Sequence, residues 1–216
     1  MIFSWLLREP LLAILWLVAI VLSLTVHEFS HALSAKWLGD QTAERDGRLT
    51  LNPLAHLDLV GFFAMMFLGF GWAKPVPYNP YNLRAPVRDG VVIGLAGPFA
   101  NILLAFVSAL TLRSLAPAAT ETLLTPFLLF LLILNLSLAL FNLIPIHPLD
   151  GSKILLALTS HPRHAHLHTW LLTRGPQILF LLIFLSLLTP LNPFQFLSRW
   201  VFSLCGVLVG DACFFG

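Results

Sequence analysis

His27-Glu28-Phe29-Ser30-His31 closes an apolar run that occupies residues 11–26. The pattern is H-E-x-x-H. On a helix, positions four apart share a face, so His27 and His31 can grip one ion from the same side. Glu28 is turned away from that face yet stays within reach of a water beside the ion. Two imidazole ligands and a carboxylate that takes a proton from water are the arrangement of a zinc-dependent hydrolase. Ionisable side chains near the centre of a membrane helix cost about 2.5–3.5 kcal/mol each on the insertion scale. Three of them in five positions therefore point to function rather than to a polar helix end lying at the membrane surface.

The rest of the chain supplies that membrane. Of 216 residues, 58% are hydrophobic and only 10% charged, against about 25% charged in a soluble domain. This composition reads as an integral membrane protein, and as one membrane-embedded domain over 1–216, because no polar block is long enough to fold separately. The net charge of +2 carries no nucleic-acid footprint and sets no oligomeric state. Cys205 and Cys213 lack CxxC spacing, so neither a disulfide framework nor a thiolate zinc site is indicated. A lone Arg8 and no small-residue cleavage site make the first apolar run a retained helix rather than a removable signal peptide.

The first helix is expected from Pro10 to Trp37, with Pro10 suited to a helix start and Gly39-Asp40 marking the stop. A polar segment, 40–58, leads to an apolar stretch at 59–72, which is short for a span of about 20 residues. Lys74-Pro75-Val76-Pro77-Tyr78-Asn79-Pro80 cannot be helical, and its prolines favour extended, edge-strand-like backbone. The second full run, 90–112, carries Gly94, Gly97 and Ala100, small residues that let helices approach closely. Asn101 within it reads as a helix–helix hydrogen bond ahead of a direct catalytic role. The third run, 123–144, ends at Pro145 and Pro148, and backbone freed inside a membrane is tolerated only beside protein or water. A short helical piece at 153–158 follows, then His161, His164, His166 and His168. That histidine tract could collect metal, but a solvated loop is the preferred reading. C-terminal helices are expected over about 169–210.

A catalytic zinc needs a third protein ligand. Asp150 follows a full apolar span at the double-proline break and is the best of the acidic residues. The alternative is an N-cap for the helix starting near Ser152. His27 and Asp150 meet only if their helices cross the bilayer in the same direction. That leaves 90–112 as the one outward crossing, so 59–72 must dip in and return. With this topology Lys36, Arg45, Arg48, Lys74, Arg84, Arg88, Lys153, Arg163 and Arg174 share one side, while Arg8 and Arg113 lie on the other. The positive-inside rule makes the shared side cytoplasmic.

His27-Glu28-x-x-His31 in the first core helix, Gly97-x-x-x-Asn101 in the second, and Asn142…Pro145…Pro148-Leu149-Asp150-Gly151 in the third resemble the site-2 protease family of intramembrane zinc metalloproteases. The resemblance covers residues 21–153 in motif order. Leu51-Asn52-Pro53 and Gly71-Trp72-Ala73-Lys74-Pro75-Val76-Pro77 look like the compact bacterial branch, and the loops are too short for the PDZ or CBS domains found elsewhere in the family.

The resemblance implies an all-α polytopic fold with a three-helix catalytic core, about 10–158. It adds C-terminal membrane helices and a re-entrant or strand-like segment between core helices one and two. It implies one Zn2+ per chain held by His27, His31 and Asp150, Glu28 as base, and Asn142 hydrogen-bonding the substrate backbone. A helix cap or interhelical bond stays open for Asn142. His147 is not assigned as a ligand. The implied activity is cleavage of peptide bonds in transmembrane helices of other proteins, in the inner membrane of a bacterium, by a multi-pass enzyme surrounded by lipid. The alternative is a membrane metal-ion transporter or metal-binding protein. A catalytically silent module that holds helices would not need the costly ionisable set.

Overall fold

A computed structural model describes residues 2–115, 122–189, 192–210 and 213. Its helices, in chain order, are α1 (Ile2–Arg8), α2 (Pro10–Trp37), α3 (Thr42–Arg45), α4 (Leu59–Leu68), α5 (Pro86–Ser114), α6 (Leu124–Asn142), α7 (Ser152–Leu158), α8 (Ala165–Leu188) and α9 (Gln195–Val209). The bounds of α2 match those expected. Pro10 and Pro86 each occupy a first helical position, where a missing N–H costs nothing. Among the described residues, four helical segments are long and apolar enough to cross a membrane: Pro10–Trp37, Pro86–Ser114, Leu124–Asn142 and Pro162–Leu188.

α2, α5 and α6 pack on one another as the expected three-helix core, and α9 closes against α5 and α6. The interior inverts the pattern of a soluble bundle. Ala13, Ala19, Ser23, Ala105, Ser108, Asn101 and Asn135 are buried, while Leu22, Phe99, Leu103, Phe106 and Phe180 stand outside. Lipid tails are as apolar as leucine, so large side chains gain little by leaving them. Small residues let the backbones approach, and buried amides find partners across the helices. The chain is thus an all-α, polytopic integral membrane protein.

The 59–72 stretch does dip and return. Asp58 caps α4 by accepting the Gly61 N–H at 2.8 Å, and Gly69, at φ 78, ends it in the left-handed region. The returning chain packs directly on the helix backbone. A Cβ on Gly71 would lie 2.3 Å from Gly61 O, and one on Gly61 would lie 2.2 Å from Trp72 O. Leu57 and Ala73 then pair in an antiparallel bridge, so the excursion begins and ends at one level. Among the described residues this bridge is isolated and no strand forms, so the segment after it is extended rather than part of a sheet.

Three further details depart from the sequence reading or sharpen it. The apolar 177–188 run joins the residues before it as one helix, α8, despite Pro176 inside it. α8 stays peripheral, with only 11% of its most apolar window buried. Cys205 and Cys213, whose spacing indicated no disulfide framework, are brought together as a disulfide, with Cα atoms 5.9 Å apart. Gly210, at φ 67, ends α9 and turns the chain back, which no residue spacing announces. Glu121 and Asp211, weighed among the acidic residues, lie outside the described residues.

Beyond α2, Asp40 anchors the loop that leads into α5. Its carboxylate is buried and accepts the Asn79 N–H at 2.7 Å, the Asn82 side-chain amide at 2.7 Å, and the Thr42 hydroxyl at 2.6 Å. Burial pushes its pKa up, but the hydrogen bonds from Thr42, Asn82 and Asn79 outweigh that and hold it below the ordinary value. A depressed carboxylate pKa stabilises the fold above the unfolded-state pKa, and the contribution is lost as pH falls through the folded value. Asp40→Ala should therefore lower stability at neutral pH by about 2–4 kcal/mol, by stranding several donors. Thermal unfolding in detergent should show the gap to wild type narrowing below about pH 4.

Candidate metal centre

α2 carries His27, Glu28 and His31 into the core at a level where α5 offers only glycine. A Cβ on Gly97 would lie 2.5 Å from His31 Nε2 and 2.7 Å from His27 Nε2. The two imidazoles occupy the space a side chain would fill. Four residues earlier, at Ile93, the α5 carbonyl accepts the His31 Nδ1–H at 2.6 Å. Four residues later, Asn101 Oδ1 accepts from His27 Nδ1. Asn101 is oriented by its own donor, which goes to Asn135 Oδ1 at 2.6 Å and to Ser23 O at 3.3 Å. Asn135 in turn donates to Ser23 Oγ at 2.7 Å. The helix–helix bond expected of Asn101 is present, and its other end holds a metal-site histidine.

The third member arrives from the break after α6. Asn142 O accepts the Gly151 N–H at 2.7 Å, and Gly151 lies so close that a Cβ there would sit 2.2 Å from Leu143 O. This tight closure turns Asp150 back toward α2. Gly151, not Asp150, occupies the N-cap of α7, and no side chain caps that helix. The Asp150 carboxylate faces the histidines instead, with Oδ2 at 3.1 Å from His27 Nε2 and 3.3 Å from His31 Nε2. The two Nε2 atoms are 3.0 Å apart.

The donor set fits a metal on direct grounds. Both Nδ1 atoms spend their protons on oxygen acceptors, so both Nε2 atoms present lone pairs. Asp150 Oδ2 is buried and has no hydrogen-bond donor. Three electron-rich atoms thus converge with no proton between them, an arrangement that asks for a cation. Their spacings of 3.0–3.3 Å match the edge of a tetrahedron whose corners lie about 2 Å from its centre, the size zinc takes with nitrogen and oxygen ligands. Among the described residues, His27, His31 and Asp150 are the one group of three or more His, Cys, Asp or Glu able to hold an ion. The histidines at 161, 164 and 166 are exposed and form no metal group among the described residues, and His166 and His168 lie in the first turn of α8 rather than in the loop expected.

Glu28 is buried beside this group, and its Oε2 accepts the Val76 N–H at 3.1 Å. Both residues line a cavity of about 460 Å³, with Asn142, Tyr78 and Lys153 in its wall. Asn142 reaches none of the three metal-site side chains; its amide donates to Leu138 O at 3.1 Å within its own helix. His147 does not line the cavity. Sequence reasoning passed over Asn135, Ser23 and Lys153. Asn135 left the clearest signal, a lone amide in the middle of an apolar run. Lys153 Nζ lies 3.2 Å from the Tyr78 hydroxyl, a pairing that depends on the fold.

Comparison with known proteins places these features in company. The model of peptidase family M50 matches residues 111–184. The Bacillus subtilis protein named "Putative zinc metalloprotease YwhC" is 42% identical over 144 residues, 64% of this chain and 66% of that one. Two proteins named "Putative zinc metalloprotease Rip2" are also similar. That of Mycolicibacterium smegmatis is 32% identical over 85% of this chain and 68% of its own length. That of Mycobacterium tuberculosis strain H37Rv is 33% identical over 89% and 73%. The chain thus spans about two thirds to three quarters of these relatives. No solved structure matches it.

Gly97→Ala tests the geometry without touching a ligand. The added methyl should push the imidazoles apart and weaken zinc binding about 10- to 100-fold, the range seen when supporting contacts of a metal site are lost. Competition with a fluorescent chelator reads the affinity, and circular dichroism should show the helices intact.

Proposed function

The chain belongs to peptidase family M50, the site-2 protease family of membrane metalloproteases, and from that premise we propose that it is an intramembrane zinc endopeptidase acting on transmembrane helices of other proteins. The observation that carries the proposal is the convergence of His27, His31 and Asp150 beside a buried Glu28. Zinc bound by those three would polarise a scissile carbonyl and bring the pKa of water toward about 7. Glu28 takes the proton from water and later gives it to the leaving amine. Asn142, in the cavity wall, holds the substrate backbone in extended form.

The surroundings suit such a substrate. A second cavity of about 420 Å³, lined by Trp16, Ile20, Phe62, Met65 and Phe202 among others, is mostly apolar. It shares Leu24, Phe70, Gly71, Trp72, Leu138 and Phe141 with the cavity that holds the site. An apolar helix can dock in the first and unwind into the second, where its peptide bonds lose the shelter of helical hydrogen bonding.

The same reading places residues 1–216 in one membrane-embedded unit, with a catalytic core over 10–158. The site opens toward the cytoplasmic side of a bacterial inner membrane. Support for the orientation comes from Lys36, Arg45, Arg48, Lys74, Arg84 and Arg88, all of which lie from the last turn of α2 to the first turn of α5, while Arg8 precedes α2 and Arg113 lies in the last turn of α5.

Glu28→Gln removes the base and leaves the three metal-site side chains in place. The variant should keep its zinc and lose cleavage of a single-span model substrate in purified, detergent-solubilised protein by at least about 100-fold. Undiminished cleavage would take Glu28 out of the reaction. Chelation of the wild-type protein should abolish cleavage, and added zinc should restore it.

A further inference from the structure

Arg48 is buried, with 5% of its surface exposed, and among the described residues no carboxylate pairs with it. Its guanidinium instead reaches two successive carbonyls: Nη1 donates to Pro75 O at 3.2 Å, and Nη2 donates to Lys74 O. A buried cation whose hydrogen bonds go to backbone oxygens alone, with its Nε left without a partner, calls for an explanation. The explanation lies at the other end of the same peptide group. Pro75 C=O and Val76 N–H belong to one planar amide, and in a trans peptide they point in opposite directions. The Val76 N–H goes to Glu28 Oε2.

We propose that Arg48 is a positioning residue for this reaction, acting on Glu28 through the Pro75–Val76 peptide group. The inference rests on the peptidase reading, because it assigns Glu28 the role of base. Pro75 and Pro77 carry no N–H, so Val76 is the sole backbone donor in that triplet, and the prolines hold it extended. Arg48 grips the carbonyl end from one side, and Glu28 receives the amide end on the other. Donation to the carbonyl polarises the amide and strengthens its N–H as a donor. Oε2 is thereby fixed, and Oε1 is left to take the proton from water. Two carbonyls in a row suit the planar fork of arginine and not the point charge of lysine.

The test uses the full chain, zinc-loaded, in detergent. In a peptide fragment covering 74–77, only Lys74 and Val76 have exchangeable amides, and the Lys74 N–H is held by His56 O at 2.8 Å. Hydrogen exchange read by mass spectrometry should show both slow in wild type. In Arg48→Lys, one of the two should become at least about tenfold faster. The same variant should lose about tenfold in kcat with KM within about twofold and zinc content unchanged. Val76→Pro deletes the donor while leaving the carbonyls, so Arg48→Met and Val76→Pro together should be no slower than the worse of the two alone. Additive losses, or a kcat in Arg48→Lys equal to wild type, would overturn the proposal. The exchange measurement needs no turnover. Equal Val76 exchange in wild type and Arg48→Lys defeats the contact and leaves the peptidase reading standing. A wild-type chain that binds zinc and cleaves nothing, with Val76 exchange still governed by Arg48, defeats the peptidase reading and with it the catalytic purpose of the contact.

Discussion

Three lone pairs pressed together decide this structure. His27 Nε2, His31 Nε2 and Asp150 Oδ2 lie 3.0–3.3 Å from one another. Without a shared cation their mutual repulsion, in a medium of low polarity, would drive the side chains apart. The rest of the core is arranged to hold them there. α2 supplies two of the groups one helical turn apart, and the break after α6 returns the third to their level. α5 contributes no metal-site side chain, but it gives room and orientation: Gly97 beneath the imidazoles, Gly94, where a Cβ would meet Asp150 O at 3.3 Å and Lys153 Cγ at 2.7 Å, and the acceptors Ile93 O and Asn101 Oδ1 for the two Nδ1–H groups. The helix that brings no metal-site side chain is the one against which the others are set.

That arrangement explains why polar residues are affordable so deep in the bundle. The His27–Asn101–Asn135–Ser23 network satisfies each amide on a neighbouring helix, so burial of those groups does not leave stranded donors. The network also ties α2, α5 and α6 together at the depth of the site. Stability and metal-site geometry therefore share the same contacts, and a change that loosens the helices also disturbs the ligands.

Much of this was legible in the residues. The apolar run, Pro10 and the Gly39-Asp40 stop set α2, and the double-proline break singled out Asp150, because such signals are local in the sequence. The shortness of 59–72 foretold a return, and Gly69 and the Gly61–Gly71 contact supply it. Other features depend on who meets whom across distance. Nothing beside Arg48 in sequence says that it reaches Pro75, 27 residues away. The continuity of α8 through Pro176 runs against a rule that is sound for helix interiors in water and weaker in membranes, where freed backbone groups find other partners. The pairing of Cys205 with Cys213 depends on a glycine turn at the end of α9. Asn142 lines the cavity, but its amide bonds within its own helix, so the substrate hydrogen bond that the resemblance implied for it rests on the proposed function and not on the resting fold.

The apolar packing on the far side of the site has a consequence for the membrane as an insulator. A hydrolase buried in a bilayer must let water in, yet a continuous wet path would short-circuit the ion gradients across it. α6 runs from Leu124 to Asn142, and the site lies at the Asn142 end. Toward the other end, Leu128, Leu131 and Leu132 close against Ala19, Ala105, Ala109 and Val201 in tight clusters. On the side away from Asn142 the bundle is therefore closed by packed apolar side chains. The enzyme can stay hydrated at its reactive centre while the lipid barrier keeps its electrical resistance.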